Sequence, residues 1–119
     1  MGSDKETCIE DIRGEIRKFV QDRQWEKYHT PKNIAMALSV EAAELLEHFQ
    51  WLTPEESCRL PEEIAREVRE EIADVVTYAL ELCNVMDIDL ASVMAAKFKK
   101  NEKKYPVEEF RGEWKRKRE

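Results

Sequence analysis

Two acidic pairs, Glu41-x-x-Glu44 and Glu71-x-x-Asp74, stand thirty positions apart in this 119-residue chain. Residues three apart on an α-helix lie about one turn apart and share a face. Each pair can therefore aim two carboxylates at one place, and four convergent oxygen donors suit a hard cation such as Mg2+, with Mn2+ as a possible substitute. Glutamate is also a common solvated helix residue, and a single E-x-x-E reads that way by default. Two such pairs in the same register, each bordered by Ala, Leu and Val, reverse that reading. Glu47, Glu62, Glu63, Glu67 and Glu70 read as surface or supporting residues. Glu67 lies one turn before Glu71 and is the one of these that could join the site.

The segments that carry the acids are cut to one pattern. With the thirty-residue offset, Ile34/Ile64, Leu38/Val68, Ala43/Ala73, Leu45/Val75 and Leu46/Val76 correspond. At 100° per residue the Ile, Leu and Val positions form a stripe, with Glu41 and Glu71 on its edge and Glu44 and Asp74 just beyond it. Two such helices packed antiparallel would bring all four carboxylates to one seam. The first acidic helix is expected over about Pro31–Gln50, with Thr30 as N-cap and Pro31 in the first turn. The second runs from about Pro61 to Met86 on the stripe Ile64, Val68, Ile72, Val75, Ala79, Leu82 and Met86. Thr53-Pro54-Glu55-Glu56 is a capping box that starts a short helical turn through about Cys58. Ile9, Ile12, Ile16, Phe19 and Val20 predict a preceding helix over about Lys5–Arg23, and Asp89 caps a last one over about Leu90–Lys103.

Composition agrees with an all-α chain. Charged residues are 39% and hydrophobic residues 42%, with only three Gly and four Pro, which favours long amphipathic helices over sheet. The expected architecture is a four-helix-bundle-like fold with the short extra helix between the two acidic ones. One domain of this length leaves apolar surface for an oligomer to cover, a homodimer or a dimer of dimers (homotetramer). The net charge of -6 argues against a nucleic-acid partner, whose grip depends on basic surface. An anionic ligand would need cations as a bridge. Cys8, Cys58 and Cys83 have no paired spacing, and no apolar run has the length of a membrane span, so the expectation is a cytoplasmic protein with reduced thiols and no membrane partner. Cys83 reads as a core residue. Residues 107–119 form a charged tail ending in Lys115-Arg116-Lys117-Arg118, behind a domain over 1–106.

Taken with Lys97-x-x-x-Asn101-x-x-Lys104-Tyr105-Pro106, the two acidic pairs resemble the MazG-like all-α nucleoside triphosphate pyrophosphohydrolases. Trp25, His29, Pro31 and Asn33, followed by Phe49-Gln50-Trp51, look like the dCTP pyrophosphatase branch. The likeness covers about Phe19 to Pro106. It implies a MazG-type fold and Mg2+-dependent hydrolysis of a nucleoside triphosphate, dCTP or a modified dCTP, between the α and β phosphates. The implied metal ligands and catalytic acids are Glu41, Glu44, Glu71 and Asp74, with Glu44 or a neighbouring Glu as the group that accepts the proton of the attacking water.

For the substrate, Lys97, Asn101 and Lys104 fall at i, i+4 and i+7, one helical face from which two ammonium groups and an amide can hold phosphate oxygens. The resemblance adds Tyr105 to that set. Trp25 and Trp51 can sandwich a nucleobase by stacking, though core packing would account for two indoles as well. His29 and Asn33, four apart across a helix start, can hydrogen-bond a base edge. Tyr78 and His48 occupy equivalent positions in the two units, and the resemblance favours Tyr78 as the substrate contact. Three rivals remain. A di-iron carboxylate bundle needs E-x-x-H on two helices, and neither pair has the histidine. A phosphoribosyl-ATP pyrophosphohydrolase shares the acid motif, and a non-catalytic helical oligomerisation module would use the acids only for solubility.

Overall fold

The structure, a computed structural model, describes residues 2–114 and is all-helical over them. Six α-helices follow in order among the described residues: α1 (Ile9–Asp22), α2 (Pro31–Glu47), α3 (Pro54–Ser57), α4 (Glu62–Met86), α5 (Leu90–Lys104) and α6 (Val107–Phe110). The chain forms two compact units, Met1–Asp87 and Ile88–Glu119. The acidic pairs belong to the first.

Local chemistry sets the helix ends. The α1 helix starts at Ile9 and not near Lys5, because Asp11 accepts the Cys8 N–H at 3.0 Å and the Cys8 S–H at 3.2 Å and so fixes Cys8 as the N-cap. After α1 the chain reverses through Gln24, which takes a left-handed conformation with φ of 52°. The polar stretch that follows is not all loop, since Glu26–Tyr28 winds into a turn of 3-10 helix. Thr30 caps α2 as expected, its hydroxyl accepting the Asn33 N–H at 3.2 Å. At its other end α2 stops at Glu47, three residues short of Gln50, where His48, Phe49 and Gln50 tighten into turns. The Thr53/Glu56 capping box forms in both directions. Asp87, with φ of 54°, ends α4, and Asp89 caps α5 through the Ser92 N–H.

Helix α4 is the spine of the first unit and packs against both α1 and α2. The α2/α4 pair is antiparallel: Glu41 lies with Glu71, and further along α2 His48 approaches Glu67, earlier on α4, at 3.7 Å. The buried core consists of Ile16 and Val20 of α1, Ile34 of α2, and Leu80 and Cys83 of α4, with Ile34 only 2% exposed. Leu38, Leu45, Val68 and Val75 half-bury themselves along the helices. Their expected companions do not all follow. Leu46 of α2 and Ile72, Val76 and Met86 of α4 are exposed, and so are two further apolar side chains of α2, Met36 and Val40. Each helix is thus apolar over a wider arc than one seam can cover.

In the second unit α5 carries exposed Val93 and Phe98, and the Tyr105 ring that ends it meets Phe110 of α6 edge-on at 5.1 Å. The tail therefore begins as a helical turn with its own aromatic contact, while Trp114 is exposed. The run Lys115–Arg118 lies outside the described residues. No helix among the described residues is long and apolar enough to cross a membrane.

Ile34 is the best-buried side chain, so Ile34→Ala should cost about 2–5 kcal/mol in urea unfolding with an unchanged denaturant slope. A loss under about 0.5 kcal/mol, the range of surface substitutions, would contradict this placement of the core.

Candidate functional site

The α2/α4 seam gathers Glu41, Glu44 and Glu71, which each place a carboxylate oxygen within 4.8 Å of the others. All three are half-buried. Glu41 Oε2 and Glu71 Oε2 are shielded from solvent and no N–H or O–H donor of the described residues reaches them. An ionised carboxylate cannot donate, so a shared proton, an ordered water or a bound cation must satisfy these atoms. Burial, hydrogen bonding to Glu71 and Glu44, and the charges of Glu44 and Asp74 push the Glu41 carboxyl up to about 7. Asp74 stands outside the close trio. It is exposed, adds its charge from one turn along α4, and faces a cleft.

That cleft, of about 730 Å3, is walled by α1, the turn before α2, and α4. Phe19, Trp25 and His29 form one side; Asp74, Thr77, Tyr78 and Glu81 form the other. Its size suits a small organic ligand. Trp25 meets Phe19 edge-on at 5.8 Å, and the Arg23 guanidinium lies 3.7 Å above the Phe19 ring centre. Glu71, Asp74, Tyr78 and Glu81 recur at spacings of three, four and three, so one face of α4 runs from the acid cluster along the cleft. A cation between the acids would sit at one end of a groove whose walls can hold an aromatic ring.

Other expected site residues divide into several groups. His29 lines the cleft, and its Nδ1 pairs with the Glu81 carboxylate. Asn33 turns its amide to the Tyr28 carbonyl at 2.9 Å, holding the turn that carries His29. Tyr78 is half-buried in the cleft wall, whereas His48 faces Glu67, so the two equivalent positions have different surroundings. The indole sandwich does not form within one chain. Trp25 precedes α2 and Trp51 follows it, at opposite ends of a 17-residue helix about 25 Å long. Nor is Trp51 a core residue, being 87% exposed. Lys97, Asn101 and Lys104 share a face of α5 in the second unit, with Tyr105 as its C-terminal cap.

Two residues escaped the sequence. Phe19 reads as a core position by periodicity, yet it is half exposed and forms a cleft wall. Glu81 went unremarked among Leu80, Leu82 and Cys83, although an acid on an apolar stripe seven positions after Asp74 is a signal for a buried, partnered carboxylate.

Comparison with known proteins gives concordant matches. The profile of the MazG-like family matches residues 36–118. A dCTP pyrophosphatase 1 from Bos taurus is 36% identical over 110 residues, 90% of this chain and 64% of the relative. Its Homo sapiens counterpart is 36% identical over 105 residues, 86% of this chain and 61% of the relative. The chain thus spans less than two thirds of the length of these curated relatives. A crystal structure of a pyrophosphatase from Archaeoglobus fulgidus superposes with a TM-score of 0.79 and 43% identity, covering 89% of this chain and 99% of that one.

The raised Glu41 carboxyl sets a pH dependence. Its folded-state value of about 7 stands above the ordinary 4.5, so the folded protein holds a proton that the unfolded chain releases. Stability from this group is full below about 4.5 and is lost as pH rises through about 7. Metal-free protein should therefore show a melting temperature that falls from pH 5 to pH 8 more steeply than that of Glu41→Gln, and a divalent cation should raise the wild-type value more at pH 8 than at pH 5. Parallel profiles for the two proteins would contradict the assignment.

Proposed function

Because the chain belongs to the MazG-like family, we propose that it is a Mg2+-dependent nucleoside triphosphate pyrophosphohydrolase. Its substrate on this reading is dCTP or a base-modified dCTP, cleaved to the nucleoside monophosphate and pyrophosphate to clear the nucleotide pool. The observation that carries the proposal is the continuity of the half-buried carboxylate cluster, through Asp74, with an aromatic-walled cleft. The curated relatives' names and the solved pyrophosphatase support the same chemistry.

The orphaned Glu41 and Glu71 oxygens and the all-carboxylate donor set fit Mg2+, with Mn2+ as a substitute. Glu41, Glu44 and Glu71, with Asp74 beside them, would hold it. Bound there, the cation supplies positive charge against the triphosphate and polarises the α-phosphorus toward attack by water. The chain's own residues do the rest. Trp25 would stack on the base, with Phe19 walling the same cleft, and Tyr78 in the opposite wall would lie between base and phosphates. A carboxylate oxygen of the acid cluster takes the proton of the attacking water as the α–β bridge breaks and pyrophosphate leaves. Lys97, Asn101, Lys104 and Tyr105 are assigned to the phosphate oxygens on the chemistry and spacing of their shared helix.

The exposed apolar faces of α2 and α4 support a homo-oligomer, a dimer or a dimer of dimers. Such an assembly would let Trp51 of a second copy serve a cleft that its own chain cannot reach. The exposed free thiols of Cys8 and Cys58 suit the reducing cytoplasm.

A pyrophosphate-release screen over canonical and base-modified dNTPs with Mg2+ tests the proposal, with dCTP or a modified dCTP expected to lead. Glu71→Gln and Asp74→Asn should each reduce turnover about a hundredfold or more while the helical circular dichroism stays unchanged. A scaffold would release no pyrophosphate from any dNTP, and wild-type turnover by either variant would remove the acids from the chemistry.

A further inference from the structure

Among the described residues of the first unit Glu81 is the one buried acid, its side chain only 5% exposed at the cleft wall formed by α1, the turn before α2, and its own helix. A carboxylate in such a place is costly unless paired, and its partner is His29 Nδ1. His29 is more open, at 22%, and shares the cleft with the Trp25 ring, 6.0 Å away and tilted by 38°. The turn beneath His29 is fixed from the other side, where the Asn33 amide donates to the Tyr28 carbonyl. The imidazole is therefore held at its backbone and at one ring nitrogen. Its other nitrogen, Nε2, is the one left for a ligand.

We propose that Glu81 is a positioning residue for base selection: it holds the His29 N–H at Nδ1, so that the Nε2 lone pair accepts a hydrogen from the exocyclic amino group of a nucleobase. A carboxylate only accepts, so the pair assigns the proton of the neutral ring to Nδ1 and leaves Nε2 an acceptor. An acceptor there favours a base with an amino group, such as cytosine, over one with a keto oxygen in that place, such as uracil. With uracil, two acceptors face each other and neither is satisfied. Trp25 supplies stacking, which every base offers, and His29 supplies the discrimination. This inference rests on the nucleotide pyrophosphohydrolase reading above.

The test compares kcat and KM for dCTP and dUTP, with Mg2+, in wild type, Glu81→Gln, Glu81→Ala, His29→Ala and the double alanine variant. Nitrogen-15 NMR of the imidazole in nucleotide-free protein is recorded alongside. Wild type should prefer dCTP. Glu81→Ala should raise KM for dCTP about tenfold with kcat little changed and should narrow the dCTP/dUTP preference by a similar factor. Glu81→Gln, whose amide oxygen still accepts from Nδ1–H, should keep most of that preference. The double variant should be no worse than His29→Ala alone. NMR should show Nδ1 protonated and Nε2 free in wild type, with that tautomer no longer fixed in Glu81→Ala.

An unchanged dCTP/dUTP ratio in folded Glu81→Ala, a wild type indifferent to the amino group, or a wild-type His29 protonated on Nε2 overturns the proposal. Should Glu81→Ala fail to fold, the wild-type tautomer and the ratio in His29→Ala still decide it. Absence of any dNTP turnover by wild type would instead sink the pyrophosphohydrolase reading, and the NMR result separates the two failures.

Discussion

Mutual repulsion among carboxylates is the constraint on which this molecule turns. Three of them converge within 4.8 Å on a half-buried seam, and two of their oxygens have no donor among the described residues. Two unit charges about 5 Å apart repel by about 3 kcal/mol at an effective dielectric near 20, a large fraction of a small domain's stability. Rigid helices are what keep the groups together. The acids sit in mid-helix on α2 and α4, where the backbone is fully hydrogen-bonded, and packing beside them resists separation. A divalent cation converts the repulsion into attraction, which gives the arrangement a purpose that solubility alone does not.

The same spine extends the site away from the charge. Along one face of α4, Glu71 belongs to the acid cluster, Asp74 faces the cleft, Tyr78 lines it, and Glu81 anchors His29 at the next turn. Functional groups thus change from charged to aromatic to hydrogen-bonding in about ten residues of a single helix, a rise of about 15 Å. The α1 helix completes the wall with Phe19, and the turn before α2 adds Trp25 and His29. On the proposed reading, affinity for phosphate and choice of base would be tuned at opposite ends of this face without moving the backbone.

Much of this was legible in the residues themselves. Helical periodicity placed the four longer helices, the Thr53/Glu56 capping box placed the short α3 turn, and Thr30, Thr53 and Asp89 marked helix starts because a side-chain oxygen before a first turn has a specific job there. The acidic register anticipated the convergence of Glu41, Glu44 and Glu71. What stayed hidden depends on tertiary direction. Periodicity cannot say which part of a broad apolar stripe turns inward, so Ile72 and Val76 read as core although they are exposed. Nor can spacing say whether two residues flanking a helix meet, and Trp25 and Trp51 stand at its opposite ends. Glu81 is hidden for the converse reason: an acid amid leucines has no partner in its own helix, and the His29 that pairs with it lies 52 positions earlier.

The central claim, that the acid cluster is a divalent-cation site, is tested most directly by titrating Mn2+ into the full chain and following free Mn2+ by electron paramagnetic resonance. Wild type should deplete the free signal with a defined stoichiometry, release the ion when Mg2+ is added, and lose this capacity in Glu41→Gln and Glu71→Gln. Equal free Mn2+ in the presence of wild type and of the two variants would contradict the account.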